Sequence, residues 1–323
     1  MTALTEAPGN DCRNFLNFPL QLDLAELSAD FAVLGVPYGL PYGNAEWPND
    51  QSLAPDALRS FPNEEDIEYT LNHYDFDLGG HLLANQSVSI VDLGNVTHQH
   101  DNPQLHYQRA EQVARTVFDA GAILITLGGD HGVPIPVLRA LEVLQQRITL
   151  VHIDAHLDWR DSINDVTEGY SSPIRRAAEM SWVGDIVQIG MRGIGSARNV
   201  EVDDAIKHGC KVISAYQLHE HGVASVLESI TDGPYYLTID ADGIDPTIMP
   251  GVLAQTPGGL LWPQTRQLIH GLLKKGRVVG MDLVEIAPSF DVGNITMIHA
   301  ERLICNFIGA SIRHGHMRSK QRL

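Results

Sequence analysis

Three short segments of the chain bring aspartate and histidine close together: GGDHG at 128–132, DAHLD at 154–158 and DADGIDP at 240–246. Carboxylates and imidazoles without thiolates form a ligand set that suits Mn²⁺, and suits Ni²⁺, Fe²⁺ or Zn²⁺ less well. So many carboxylates packed together would repel one another unless cations neutralised them. A pair of bound ions can also lower the pKa of water enough to make it a nucleophile near neutral pH. The three segments therefore predict a two-metal site capable of hydrolysis.

The spacing inside the segments decides which side chains can converge. On an extended chain, residues two apart point to the same side. Asp154, His156 and Asp158 therefore share a side, and so do Asp240 and Asp242. A single aspartate after a strand is more often a helix cap or a turn former. The prediction of a metal site depends on all three segments occurring together.

Each segment follows an apolar run, and such runs recur along the chain. They are nearly continuous and rich in Val, Ile and Leu, which is typical of strands buried on both faces of a parallel sheet. The runs lie at 31–37, 88–94, 122–129, 148–156, 185–193, 210–215, 235–240 and 278–286. Helical spacing recurs between them, at 105–121, 133–146, 203–208, 221–230 and 262–275. This alternation predicts an α/β fold with a mainly parallel sheet covered by helices on both sides, and ligands at the carboxyl ends of its strands.

The chain shows no internal repeat, low-complexity tract or linker, which favours a single domain. We expect a polar N-terminal arm at 1–28, one domain at 29–312 and a basic C-terminal tail at 313–323. His152, two residues before Asp154 on a predicted strand, is expected to be buried and hydrogen-bonded.

The composition argues against several classes of partner. The chain has 22 Lys and Arg against 40 Asp and Glu, a net charge of −18, and so acidic a surface repels the phosphates of nucleic acids. The three cysteines are far apart, so neither a disulfide framework nor a thiolate zinc site is indicated. The N-terminus lacks a basic segment followed by an apolar run, and no apolar stretch is long enough to span a bilayer. We therefore expect a cytoplasmic protein that binds neither nucleic acid nor membrane.

Taken together, these motifs resemble those of the ureohydrolases, the family that contains arginase, agmatinase and guanidinobutyrase. GGDHG is similar to the family's GGDHS, DAHLD to DAHxD, and DADGIDP followed by Pro250 and Gly251 to DxDxxDP followed by PG. MDLVEIAP at 281–288 resembles the late strand that carries the family's guanidinium-binding glutamate, here Glu285. The resemblance extends from about residue 33 to about residue 309, and it implies a three-layer αβα sandwich of the arginase type.

The resemblance also implies a role for each residue. One metal would be held by His131, Asp154, Asp158 and Asp240, and the other by Asp154, His156, Asp240 and Asp242. A hydroxide between the two ions would attack the guanidinium carbon, and Asp158 would pass a proton to the leaving amine. Glu285 would hold the planar cation through paired hydrogen bonds. Mn²⁺ is the first choice for the two ions and Ni²⁺ the alternative, while Asp130 and Asp245 are expected to support the ligands.

The loop after Asp158 departs from the family pattern. It reads WRDSINDVTEGYSSPIRRAAE, without the histidine that relatives use as a proton shuttle. Alignment on RRA places Tyr170 at the position of that histidine, whereas alignment on the spacing to the last aspartate places Glu168 there. Proton delivery to the leaving amine would then use Tyr170, Glu168 or water.

The expected walls of the substrate site depart from the pattern as well. PGVLAQTPGG at 250–259 replaces the PGTGTPEPGG of agmatinases, and Val252, Leu253 and Gln255 would make this wall bulkier and more apolar. Tyr38, Tyr42, Trp47 and Trp159 could stack on a cation, although simple packing is the commoner role of such residues.

The sequence thus predicts an amidinohydrolase that cleaves a guanidino C–N bond and releases urea or a substituted urea plus an amine. Candidate substrates are agmatine, guanidinoalkanoates, guanidine, alkylguanidines and biguanides such as metformin. The alternatives are a formiminoglutamase and a non-catalytic regulatory subunit of a related enzyme. The family resemblance implies a trimer or hexamer, either of identical chains or with a related chain.

Overall fold

One sheet of mostly parallel strands runs through the centre of the molecule. The computed structural model describes residues 3–9, 12–43, 48–99, 102–194 and 197–318, and these ranges contain nine strands. The strands are β1 Thr5–Glu6, β2 Phe31–Val36, β3 Ile90–Val96, β4 Ile123–Gly128, β5 Ile148–Ile153, β6 Val183–Met191, β7 Lys211–Ser214, β8 Tyr235–Asp240 and β9 Val278–Val284. Their order across the sheet is β1-β3-β2-β4-β9-β8-β5-β6-β7. Only β1 runs antiparallel to its neighbour.

Helices cover both faces of this sheet. They are α1 Ala54–Ser60, α2 Glu64–Asn72, α3 Pro103–Asp119, α4 Pro134–Ala140, α5 Pro173–Ala178, α6 Asn199–His208, α7 Ala215–Ser229, α8 Trp262–Lys275 and α9 Ile295–Arg313. On one face α1, α2, α7, α8 and α9 pack against the sheet, and on the other face α3, α4, α5 and α6 do so. The predicted three-layer αβα sandwich with a mainly parallel sheet is therefore confirmed.

Burial on both faces explains why the strands are apolar throughout. In β4, Ile123 and Ile125 belong to one helix-covered core, Leu124 belongs to the other, and all three are fully buried. Each of the eight predicted runs contains a strand, although β7 lies at the edge of the sheet and is only partly buried, with Lys211 exposed. The sequence did not predict β1, because two residues are too few to show a pattern.

The five predicted helical segments are also helical, with changed limits. The segment 133–146 divides into α4 and a 3₁₀ turn at Leu141–Leu144, and α7 begins at Ala215 rather than 221, with an interruption at Gly222 (φ 78°). The 19-residue α9 was not predicted. Of its 19 residues, 14 are buried.

The two ends of the chain differ from the expected arm and tail. Phe15 and Leu16 are fully buried in the core, and Thr5–Glu6 adds an edge strand to the sheet, so the described part of 1–28 is integral to the domain. Beyond α9, the Arg318 backbone N–H donates to Asp30 at 3.1 Å. Residues 314–318 are therefore attached to the domain, and 319–323 lie outside the described residues. Among the helices that the structure describes, none is both long and apolar enough to cross a membrane.

A buried ion pair fastens α1 to β3. The Arg59 guanidinium donates to both carboxylate oxygens of Asp92, at 2.8 and 2.9 Å, and both side chains are fully buried. Arg59 also donates to the Asn95 side chain, and the Phe15 backbone N–H donates to Asp92. One carboxylate thus joins a strand, a helix and the N-terminal segment.

We expect the Arg59→Met variant to lose about 3–5 kcal/mol of the free energy of unfolding, because it leaves the Asp92 carboxylate buried without its counter-charge. Urea denaturation followed by circular dichroism measures this loss. Arg13→Met is the control, since it breaks the partly exposed pair with Glu64 and should change stability little. Equal urea midpoints for Arg59→Met and the wild type would contradict the assigned role.

Candidate functional site

The three acidic segments converge at the carboxyl ends of four adjacent strands. β4, β9, β8 and β5 are neighbours in that order. His131 follows β4, Glu285 follows β9 directly, Asp240 ends β8 and Asp154 follows β5 directly. Parallel strands open at the same edge of the sheet, so residues distant in sequence meet there.

The first cluster is built around His131. Its Nδ1 lies 3.0 Å from a carboxylate oxygen of each of Asp154, Asp158 and Asp240. Neighbouring ligands of an octahedral ion, at about 2.1 Å from it, lie about 3.0 Å apart. The donor types and these spacings from Nδ1 therefore fit residues that would hold a divalent cation.

Thr238 and Asp282 determine which nitrogen of the His131 ring is free to bind a cation. The Thr238 hydroxyl donates to Asp282 at 2.6 Å, so it accepts from His131 Nε2–H at 3.1 Å. The proton on Nε2 leaves a lone pair on Nδ1, which faces the three carboxylates. Burial raises the pKa of Asp282 to about 6, against the opposing effect of the Thr238 hydrogen bond. Neither Thr238 nor Asp282 was recognised from the sequence, although an acid inside the apolar run VVGMDLV was a usable signal.

The second cluster shares Asp154 with the first. His156 Nδ1 lies 3.3 Å from Asp154 Oδ1 and 3.1 Å from Asp242 Oδ2. Asp154 Oδ2 faces His131, so the two carboxylate oxygens of Asp154 face different clusters. One carboxylate between two ligand groups is the arrangement that a pair of ions requires. The six ligands expected from the sequence are thus brought together.

Backbone N–H groups orient these carboxylates. Asp240 accepts from the Asp242 N–H at 2.8 Å, and Asp154 accepts from the His156 N–H at 2.6 Å. His152 is fully buried and donates from Nε2 to Asp154 at 2.8 Å, because the Gln188 amide N–H faces its Nδ1 at 3.3 Å. The prediction that His152 is buried and hydrogen-bonded is confirmed.

The two remaining acids of the motifs support turns. Asp130 accepts from the Gly132 N–H at 2.9 Å and from the Asn49 side chain at 3.1 Å. Asp245 accepts from the N–H groups of Gly258 and Gly259, at 2.8 and 3.0 Å. Both carboxylates therefore hold loops around the clusters, and the expectation that they support the ligands stays a prediction.

The two clusters together favour the binding of protons or cations, as the pKa shifts of their side chains show. Burial, followed by the charge of neighbouring carboxylates, raises the pKa of Asp240 and of Asp242. Burial lowers the pKa of His156, but hydrogen bonds to Asp154 and Asp242 outweigh it and raise that pKa to about 12. Without metal these groups would compete for protons, and bound cations would neutralise the same carboxylates.

Glu285 sits beside the clusters in a strained backbone conformation (φ 63°). One carboxylate oxygen accepts from the His131 backbone N–H at 2.7 Å, and the other accepts from the Gln51 side chain at 2.8 Å. Burial, followed by the charge of Asp130, raises the pKa of Glu285 to about 8. A carboxylate has about four acceptor positions, so both oxygens can still accept from a ligand.

Both clusters and Glu285 open into one cavity of about 600 Å³. Its described lining includes Pro48, Asn49, Asp50, Gln51, His131, His156, Asp158, Tyr170, Ser171, Asp240, Asp242, Leu253, Ala254 and Glu285. Tyr170 lines it as expected, and Tyr42 packs edge-on against the Tyr170 ring at 4.7 Å between centroids. The Tyr42 hydroxyl accepts from the Ser171 N–H at 3.0 Å. Tyr42 therefore supports the loop that carries Tyr170.

The structure corrects two residues expected at the site. The Glu168 carboxylate is paired with the Arg139 guanidinium outside the cavity, so it is not placed to deliver a proton. Trp159 is buried and donates from its indole N–H to Asp204 at 2.9 Å, also away from the cavity. The position of each side chain is determined by a partner that is distant in the sequence, Arg139 for Glu168 and Asp204 for Trp159.

The loop after Pro250 requires a third correction. Val252 is 1% exposed and packs in the core, pairing by backbone with Ile286. Leu253, which was expected in this wall and is 50% exposed, lines the cavity together with Ala254. Gln255 donates to the Pro250 carbonyl at 2.6 Å and is not among the described lining residues. Tyr38 packs against the His98 ring, tilted by 37° at 4.1 Å between centroids, and is not among the lining residues, whereas Trp47 lies outside the described residues. Of the three residues expected to form the apolar wall, Leu253 therefore does so and Val252 does not.

Comparison with known proteins agrees with the fold and the site. Residues 29–309 match the sequence profile of the arginase family. An agmatinase from Citrobacter koseri is 29% identical over 296 residues, which are 90% of this chain and 90% of that protein. A guanidinobutyrase from Pseudomonas aeruginosa is 33% identical over 224 residues, which are 67% of this chain and 70% of that protein. The solved structure of proclavaminate amidino hydrolase from Streptomyces clavuligerus has a TM-score of 0.79 at 26% identity, covering 97% of this chain and 100% of that chain.

The family match and these relatives place the chain among the hydrolases that act on C–N bonds of linear amidines. The chain belongs to the arginase family. Within that family it is similar to the agmatinases, so the resemblance predicted from the motifs is confirmed.

We expect Thr238→Val to weaken metal binding by about 10–100-fold, because it removes the acceptor that fixes the His131 ring. Thr238→Ser keeps the hydroxyl and should bind metal nearly as the wild type does. Titration of metal-free protein with Mn²⁺, followed by calorimetry, measures both affinities. Equal affinity for Thr238→Val and the wild type would show that this hydrogen bond does not orient His131.

Proposed function

We propose that this protein is a dinuclear-metal amidinohydrolase that cleaves a guanidino C–N bond of a small cationic compound. The observation that carries the proposal is the shared cavity. Two clusters of possible metal ligands and the carboxylate of Glu285 line the same space, so a planar cation held by Glu285 would lie beside the clusters.

The metal ligands would be His131, Asp154, Asp158 and Asp240 for one ion, and Asp154, His156, Asp240 and Asp242 for the other. Carboxylate and imidazole donors without thiolates favour Mn²⁺, with Ni²⁺ as the alternative. Two bound divalent ions would supply Lewis acidity and lower the pKa of a water molecule between them.

The protein groups around that centre would bind and orient the substrate. Glu285 would accept paired N–H donors of the guanidinium in a planar arrangement. Asp158, whose carboxylate lines the cavity, would carry a proton from the nucleophile to the leaving amine. Tyr170 or water remains as the further proton donor, since Glu168 faces Arg139.

The charge of the wall favours a substrate without a carboxylate. Among the described lining residues the charged side chains are acids, accompanied by two histidines, and neither lysine nor arginine is present. Arg192, a buried cation nearby, donates to backbone carbonyls of 242–244 and 256–257 instead. Once metals neutralise the clusters, Asp50 and Glu285 still disfavour an anionic tail. Agmatine-like compounds and alkylguanidines therefore fit better than guanidinoalkanoates.

The apolar part of the wall favours an alkyl substituent. Leu253, Ala254 and Pro48 line the cavity together with the Tyr170 ring. These groups can cover methyl or methylene groups and a delocalised cation. They support, as a second candidate substrate class, a biguanide such as metformin. As the family resemblance implies, the chain would act as a trimer or hexamer, of identical chains or with a related chain.

We expect Asp154→Ala and Asp240→Ala each to abolish turnover, because each would remove a carboxylate shared by the two ions. The measurements are metal content by mass spectrometry and release of urea and amine from a panel of guanidine compounds. Asp161→Ala is the matched control, since that carboxylate is 73% exposed and pairs with Arg176. Full turnover in either site variant would refute the dinuclear proposal.

We expect agmatine to be hydrolysed with a higher kcat/KM than 4-guanidinobutanoate, by at least about tenfold, because the two differ in the charge of the distal group. Asp50→Lys should narrow this ratio, and steady-state kinetics with both compounds measures it.

Asp203→Lys controls for net charge, because Asp203 is an exposed carboxylate on α6 that is not among the cavity-lining residues. It should leave the ratio unchanged. A preference for 4-guanidinobutanoate in the wild type would contradict the argument from wall charge while leaving the reaction type intact.

A further inference from the structure

Gln51 is a cavity-lining residue without a role in the scheme above. It lies in the 3₁₀ turn Asp50–Leu53, just before α1, and is 5% exposed. Its Nε2 donates to Glu285 Oε2 at 2.8 Å. When Glu285 is ionised, as the binding of a cation requires, the reverse orientation of the amide would place its carbonyl oxygen against a carboxylate, so the donor then faces Glu285.

The turn that carries Gln51 is fixed to the strand ends on both sides. The Asn49 side chain caps the turn through the Ser52 N–H at 3.1 Å and donates to Asp130 at 3.1 Å. Asp50 accepts from the Ser289 N–H at 3.0 Å. Because its neighbours are held in this way, Gln51 has little freedom to follow a moving carboxylate.

The stability of the fold gives no reason for an amide at this position. Gln51 Oε1 is buried without a hydrogen-bond partner in the part of the chain that the structure describes. A buried acceptor without a partner is unfavourable, and this loss offsets the gain from the bond to Glu285. A methionine of similar shape would bury no unpaired acceptor and would make no hydrogen bond to Glu285. The amide is therefore explained by its effect on Glu285.

Two donors from different elements fix the Glu285 carboxylate. The His131 N–H holds Oε1 and the Gln51 amide holds Oε2, and the backbone of Glu285 itself is strained. Asp130, nearby, would repel an unrestrained carboxylate. With both oxygens held, the lone pairs that remain have a fixed direction, which is what bidentate binding of a planar cation requires.

We infer that Gln51 is a positioning residue for the substrate, which holds the Glu285 carboxylate in the orientation that receives the guanidinium group. This inference rests on the proposed function. It predicts that loss of the amide weakens guanidinium binding without disturbing the two clusters. Among the described residues, Gln51 makes no side-chain hydrogen bond to any of the six proposed metal ligands.

The test compares Gln51→Met with Gln112→Met, which makes the same change at an exposed position on α3. Metal-loaded proteins are titrated with low millimolar guanidinium chloride by calorimetry, and metal content and Tm are measured alongside. We expect Gln51→Met to raise the Kd for guanidinium by about tenfold or more, with metal content and Tm close to the wild type. Gln112→Met should match the wild type in all three.

A double-mutant cycle with Glu285→Gln shows whether Gln51 acts through Glu285. In the Glu285→Gln background, Gln51→Met should weaken binding by less than about twofold. An equal Kd for Gln51→Met and the wild type, or an undiminished effect in the Glu285→Gln background, would overturn the inference. A fall in Tm with loss of metal would overturn it too, by showing a structural role. A wild type that binds no guanidinium and hydrolyses no guanidine compound would instead refute the proposed function.

Discussion

The concentration of buried negative charge at one edge of the sheet governs the rest of this structure. Four aspartates surround two imidazoles at distances of 3.0–3.3 Å, and the four carboxylates are buried, whereas His156 is partly exposed to the cavity. Carboxylates in that position are costly unless cations or protons neutralise them. The surroundings orient them so that their oxygens face inward. Backbone N–H groups hold Asp154 and Asp240, and Thr238 directs His131. The fold thus holds the carboxylates close together, an arrangement that is unfavourable without counter-charge and becomes favourable when cations bind.

Two different kinds of structure supply the two halves of the cavity. The cluster residues follow strands buried between helix layers, where both faces are packed and the backbone cannot shift without disturbing the core. The opposite wall comes from loops, through 48–51, 170–171 and 253–254. These loops are fastened by a few contacts, such as the Tyr42 hydroxyl to the Ser171 N–H. Substitutions in the loops can therefore change what enters the cavity while the strand ends preserve the chemistry.

The same division explains what the sequence could predict. His131, Asp154 and Asp240 follow apolar runs, and the rule that ligands bind at the carboxyl ends of parallel strands places them together without knowledge of strand order. Glu168, Trp159 and Val252 were misplaced because loop side chains follow partners far away in the chain: Arg139, Asp204 and the core around Ile286. No local pattern encodes those pairings. Gln51 was missed for the same reason, since its partner lies 234 residues away.

Glu285 joins the two halves. Its backbone belongs to the end of β9, and one oxygen is held by the His131 N–H of the cluster, whereas the other is held by Gln51 from a loop. A carboxylate shared in this way receives its position from the sheet and its orientation partly from the loop at 48–51. A change in that loop could then alter how a guanidinium group would be held without moving any cluster residue. Because orientation affects binding and attack together, the loop at 48–51 would influence the proposed reaction through the Glu285 side chain.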